Sequence, residues 1–202
     1  MLTMMPMAAC DGSNADPILP EQPGQPGNSD GGDEDDSTDP TNPIPGGNGR
    51  YLVLYCSRTG STERMAQQIQ QTLDCDILEV EPQTPYESDY NGMLNRAQEE
   101  LAAIRQGNYP AIKTSVEDFG NYDIVFVGYP IWYGSMGTPM QTFLHNHASK
   151  LAGKCIALFA SSGSSGISAS VDEARTLCSG ATFTETLLLT SSTLSQMGNR
   201  IR

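Results

Sequence analysis

Six consecutive residues, Ser57-Arg58-Thr59-Gly60-Ser61-Thr62, place four hydroxyls and one glycine directly after an apolar run and directly before a helical pattern. A turn of this kind leaves a row of unpaired backbone N–H groups at the helix start, where an anion is favoured. Capping alone needs one hydroxyl, so four of them point to a phosphate cradle that works without metal or lysine. Arg58 either adds positive charge to that cradle or lies solvated beside it. Two further segments have related properties. Gly128-Tyr129-Pro130-Ile131-Trp132-Tyr133-Gly134 contains the single tryptophan of the chain, and Ser161-Ser162-Gly163-Ser164-Ser165-Gly166 is built from small residues. Large aromatics can stack on a planar ring, and small residues let a flat ligand approach the backbone closely.

The elements that would position these loops alternate as strand and helix. Apolar runs at Tyr51 to Cys56, Asp76 to Glu81, Ile124 to Gly128, Cys155 to Ala160 and Thr186 to Thr190 read as strands buried on both faces. Between them, Met65, Ile69 and Leu73 recur at helical spacing, and Met93, Leu94, Ala97, Leu101 and Ile104 line a second helix ending at Gly107. Thr138 and Pro139 read as the cap and first residue of a third helix, Ser168 to Cys178 as a fourth, and Leu194 to Arg202 as a short fifth. This order predicts an α/β three-layer sandwich around a parallel sheet. All three loops then lie beyond the carboxyl ends of the strands, where open α/β sheets bind ligands.

Several other chemistries are excluded by the same residues. No Gly-x-x-x-x-Gly-Lys run exists for a P-loop, and Gly60 stands alone where a dinucleotide fingerprint needs three spaced glycines. Cys56 precedes the hydroxyl-rich loop as a phosphatase nucleophile would, but Thr62 occupies the position of the required arginine. His145 and His147 are two apart on a helix and face different ways, so they do not form a joint metal site. Cys56, Cys75, Cys155 and Cys178 read as buried thiols. Cys155 with Cys178 is the one pairing open to an exported domain.

Composition divides the chain near Gly49. Residues 1–49 hold eight of the thirteen prolines, nine acids and no lysine or arginine, a composition that cannot offset the entropy of ordering. They read as a tether, and 50–202 as one folded domain. The net charge of −13 is mostly the tether's, since the domain has 15 acids against 11 bases. Neither part offers the basic stripe that nucleic acid requires.

The Ser57, Thr59, Gly60 and Thr62 loop, the Pro130-Ile131-Trp132-Tyr133-Gly134 segment and the Ser162-Gly163-Ser164-Ser165-Gly166 segment together resemble the flavodoxin family, in the subfamily with a Pro-Ile-Trp loop. Pro85-Tyr86 to Tyr90 resembles the same subfamily. The resemblance implies a five-stranded parallel sheet of order 2-1-3-4-5 and FMN held without a covalent link. It implies a phosphate in the loop of Ser57, Arg58, Thr59, Gly60, Ser61 and Thr62, with the ring against Trp132 or Tyr133. Backbone near Gly134 and Gly163 would meet the ring's polar edge. The segments 128–142 and 160–170 contain no acid, unlike the usual electron carriers of the family, and this predicts a less negative potential. Three functions follow: an FMN redox protein passing electrons to a partner protein or small acceptor, an NAD(P)H-dependent FMN oxidoreductase resembling quinone reductases, or an anchored binding module without cofactor.

Met1 to Cys10 ends in Met7-Ala8-Ala9-Cys10 and resembles the end of a bacterial lipoprotein signal, although the basic start and longer apolar segment of such signals are missing. The resemblance implies a lipid on Cys10, membrane contact through that anchor alone, and a place in the cell envelope. Without the anchor, the reading is cytoplasmic.

Overall fold

The computed structural model describes residues 50–184 and 186–190. The signal-like start, Cys10, the tether and the short fifth helix lie outside the described residues. Seven strands and four helices follow in the order β1 (Tyr51–Tyr55), α1 (Ser61–Leu73), β2 (Asp76–Glu79), α2 (Tyr90–Ile104), β3 (Ile124–Trp132), β4 (Ser135–Met136), α3 (Thr138–His147), β5 (Cys155–Ser162), α4 (Ser168–Leu177), β6 (Thr182–Phe183) and β7 (Leu187–Thr190). The parallel sheet runs β2-β1-β3-β5-β6, with β7 also paired to β5. Strands β6 and β7 therefore share the fifth position, and the expected order 2-1-3-4-5 is the order found.

Alternation along β1 explains how one short strand serves two layers. Leu52, Leu54 and Cys56 belong to a core with Val125, Val127, Phe143, Leu144, Val171 and Ala174, which α3 and α4 cover. Val53 and Tyr55 face the other way, onto Met65 and Ala66 of α1. The strands are thus apolar on both faces for the reason the parallel arrangement dictates.

Besides shifts of one or two residues at the ends of β1, β2, β5 and α4, three boundaries differ from the sequence reading. The third strand does not stop at Gly128 but continues through Trp132, because Tyr129 and Pro130 still pair with Ala160 and Ser161 of β5. Trp132 then pairs with Ser135 across a two-residue turn in which Tyr133 and Gly134 have φ of 52° and 81°. Two consecutive left-handed residues are the geometry that twists correctly with the flanking strands. At α3 the cap is Gly137, with Thr138 inside the helix, because the Thr138 hydroxyl is engaged elsewhere by Tyr86 and Glu100. The fifth strand begins earlier than expected, at Thr182.

Cys178 is a free buried thiol with its sulfur 3.7 Å from the Leu144 carbonyl, so the Cys155–Cys178 pairing is not formed. Burial pushes the Cys178 thiol up to about 11, which leaves it inert near neutral pH. His147 is buried as a neutral ring whose Nδ1 lies 2.9 Å from the Phe143 carbonyl and whose Nε2 accepts from the Val116 N–H. His145 instead stacks on Tyr109 at 3.8 Å. Both histidines are thereby accounted for by packing.

Candidate functional site

A cleft of about 490 Å³ opens at the carboxyl ends of β1, β3 and β5, a size typical of small-molecule sites. Ser57, Arg58, Thr59, Ser61 and Thr62 line one part of it, Pro130, Ile131, Trp132 and Tyr133 a second, and Ser162, Gly163 and Ser164 a third. Three loops separated by up to about a hundred residues in sequence are thus brought to one place. Gly60, Gly134 and Gly166 do not line the cleft. Gly60 is the left-handed cap of α1, with φ 75°, and Gly134 closes the hairpin turn.

The side chains of the hydroxyl-rich loop do not all have the same surroundings. No side chain caps α1, so the N–H groups at its start remain turned to the cleft's end of the helix. Ser57 Oγ is buried and has no protein partner, and the same is true of Ser162 Oγ across the cleft. Buried hydroxyls are nearly always satisfied; among the described residues three are not, those of Ser57, Ser162 and Thr142, and the first two line the cleft. Thr62 differs, since its hydroxyl lies 2.8 Å from Ser161 Oγ. Arg58 differs more. Its Nη2 lies 3.1, 2.9 and 3.1 Å from the backbone carbonyls of Glu87, Ser88 and Asp89 and shares its two N–H bonds among them, while the half-buried side chain still lines the cleft.

The aromatic wall depends on residues that the spacing of motifs did not single out. Tyr86 meets Trp132 edge to face, with ring centroids 5.0 Å apart. Its hydroxyl and that of Thr138 both donate to the Glu100 carboxylate, which also binds Arg96 at 2.8 Å. Burial and the adjacent Glu100 push the Tyr86 phenol well above its ordinary range, so it stays protonated. The hairpin is fixed from below, where the Glu173 carboxylate accepts from the Met136 N–H at 2.8 Å and Gln141 donates to the Met136 carbonyl at 2.7 Å. Acidic groups therefore do reach the aromatic loop, from α2 and α4. The acid-free stretches 128–142 and 160–170 do not describe the whole surroundings.

Tyr90, Met93, Leu94, Ser161 and Ser165 also line the cleft. Tyr90 and Tyr133, 65% and 50% exposed, are two of the three exposed large hydrophobic side chains among the described residues. Met93 was legible only as helix core, and Tyr90 only as a family likeness, because nothing local says that the start of α2 turns toward the ends of β1 and β3.

The flavodoxin family model matches residues 50–201. The chain belongs to the flavodoxin family. Among solved structures, a protein of Bacteroides uniformis described as a flavoprotein is 28% identical over 77% of this chain and all of its own, with a TM-score of 0.62. Its counterpart from Bacteroides eggerthii is 32% identical over 75% of this chain and 97% of its own, also at 0.62. A flavoprotein of Lactobacillus acidophilus, solved in complex with FMN, is 25% identical over 74% of this chain and 99% of its own, at 0.59. No curated protein matches. In flavodoxin terms the cleft sits at the family's expected place, with the hydroxyl loop after the first strand and the tryptophan at the end of the third.

Proposed function

We propose that this flavodoxin holds FMN non-covalently in the cleft and passes electrons through it to a partner protein or a small acceptor. The carrying observation is the pair of buried, unpartnered hydroxyls of Ser57 and Ser162 in a cleft walled by Trp132 and Tyr133. FMN, when bound, supplies one- and two-electron redox chemistry, and the protein's task is to hold and tune it. Ser57, Thr59 and Ser61, together with the N–H groups at the start of α1, receive the phosphate. Trp132 offers an apolar face to the ring, and Ser162, Gly163 and Ser164 approach with small side chains. The match to an FMN-bound relative over nearly all of that relative's chain supports the same ligand. A cofactor-free binding module gives no reason for two orphaned hydroxyls in one cleft.

A second reading, an NAD(P)H-dependent oxidoreductase, is favoured by one feature. The wall formed by Ser161 to Ser165 has no aromatic side chain, which leaves room for a small reactant beside the ring. Anaerobic addition of NADPH to the FMN-loaded full chain separates the two. Flavin absorbance that persists supports a carrier that takes electrons from a protein, and rapid bleaching by NADPH supports the oxidoreductase.

The proposal extends to location, with a lipid on Cys10 holding the domain at a bacterial envelope and the acidic stretch to Gly49 as the tether. Support comes from the Met7-Ala8-Ala9-Cys10 pattern and the composition of 1–49. Cys10→Ser abolishing incorporation of labelled fatty acid is the expected result, and unchanged labelling contradicts it.

A further inference from the structure

Between β2 and α2 the chain crosses the cleft's flank as an exposed strap, and two arginines hold it by its backbone. Residues 81–83 are pinned conventionally: Pro82 bridges Ile112, and Gln83 and Lys113 exchange hydrogen bonds with Ala111 and Glu81. Beyond Gln83 the anchoring changes character. Arg96 donates to the Thr84 and Pro85 carbonyls at 2.9 and 2.8 Å, and Arg58 to those of Glu87, Ser88 and Asp89. Tyr86 lies between the two groups, with the Arg96 guanidinium 4.2 Å above its ring and Trp132 at its edge. Five carbonyls of a six-residue segment thus rest on guanidinium groups, and the one aromatic side chain of that segment supports the tryptophan.

Arg58 also stands between Ser57 and Thr59, inside the hydroxyl loop. One residue therefore joins the loop that faces the anion to the strap that carries the aromatic wall. We propose that Arg58 is a positioning residue: it latches the strap 84–89 to the hydroxyl loop, so that Tyr86 holds Trp132 in place for the flavin ring, and it is not the ligand of the phosphate. All three carbonyls meet the one Nη2 group, which shares its two N–H bonds among them, and the rigid guanidinium plane fixes the direction of those bonds in a way that the freely rotating ammonium of lysine does not. Coupling of this kind passes through a continuous chain of contacts, here Arg58 to the strap, Tyr86 and Trp132. The inference rests on the FMN reading for its effect on affinity, but its structural half stands without any cofactor.

The test uses the full chain with Arg58→Gln, Arg58→Lys and Tyr86→Leu, each checked for native far-ultraviolet circular dichroism, and riboflavin beside FMN as ligand. A phosphate ligand contributes nothing to riboflavin, whereas a latch for the ring wall contributes to both. Arg58→Gln is expected to weaken riboflavin by about tenfold, the scale of lost hydrogen bonds to a charged group, with FMN weakened at least as much. Arg58→Lys is expected not to restore riboflavin binding. In the cofactor-free chain, Trp132 is the sole tryptophan, so acrylamide quenching reads it alone. Quenching is expected to rise in Arg58→Gln and Tyr86→Leu alike. Unchanged riboflavin affinity and unchanged quenching in Arg58→Gln, with only FMN weakened, would overturn the latch and restore Arg58 as a phosphate contact. If the wild-type chain binds neither flavin, the FMN reading fails, and the quenching comparison alone decides the latch.

Discussion

The hydroxyls of Thr62 and Ser161 lie 2.8 Å apart, both buried, and join the start of α1 to the end of β5 across 99 residues of sequence. This bond ties the hydroxyl loop to the serine-rich wall. Ser161→Ala leaves the Thr62 hydroxyl without its partner and is expected to cost ~1–2 kcal/mol of folding free energy. Thr62→Val combined with Ser161→Ala should cost less than the sum of the two single changes, by ~1 kcal/mol, since both remove one bond. Urea unfolding of the four proteins reads this directly, and strict additivity contradicts the bond.

Ser57 and Ser162 give a prediction in which stability and binding move in opposite directions. An orphaned buried hydroxyl costs free energy in the empty protein. Ser57→Ala and Ser162→Ala should each leave the melting temperature of the cofactor-free chain unchanged or raised. Each should also weaken FMN by roughly 1–3 kcal/mol, the scale of a hydrogen bond to a charged or strongly polar group. Loss of stability together with intact affinity would show that these hydroxyls serve the fold and not a ligand.

Gly128 in β3 has no room for a side chain, because a Cβ there would sit 2.1 Å from Cζ of Phe159, its register partner on β5. The ring fills the space above the glycine. Gly128→Ala is therefore expected to destabilise the domain by roughly 1–3 kcal/mol through overpacking. Adding Phe159→Leu should recover part of that loss, and thermal unfolding of the single and double variants provides the comparison. A tolerated Gly128→Ala would mean that the ring moves aside freely.

Glu79 on β2 supplies a pH dependence. Burial, then the neighbouring Glu81 and Glu63, push its carboxyl up from 4.5 to about 7. A folded-state value raised above the unfolded one means that the native chain binds the proton more tightly. The associated stability is complete below pH 4.5 and is lost as pH rises through 7. Glu79→Gln should match the wild type in acid and exceed it at pH 8, by roughly 1 kcal/mol once solvent screening of this half-exposed group is allowed for. Denaturant midpoints measured across that range test the sign, and parallel curves would refute it.

Much of this organisation was legible in the sequence because periodicity records burial. The doubly apolar strands and the 3.6-residue spacing of Met65, Ile69 and Leu73 carry the parallel sheet and its covering helices. The three loops were legible because hydroxyls, a lone tryptophan and small residues clustered at strand ends. What escaped was set by contacts distant in sequence. Pro130 to Trp132 looked like loop because proline and aromatics break the strand pattern, yet pairing with Ala160 and Ser161 extends the strand. Arg58 read as either charge beside the phosphate or a solvated side chain, because sequence gives its neighbours and not the carbonyls about thirty residues away that its Nη2 meets. Glu100 and Glu173 lie on helices whose inward faces only the tertiary fold reveals.

The central claim is that the cleft at the ends of β1, β3 and β5 is an FMN site. The most direct test is to titrate the purified full chain with FMN and follow flavin fluorescence, with riboflavin as the ligand lacking the phosphate. Saturation at one FMN per chain, with quenched fluorescence and weaker riboflavin binding, is the result this account predicts. Free flavin fluorescence that stays unchanged at all ratios, in a chain that is folded by circular dichroism, would contradict it.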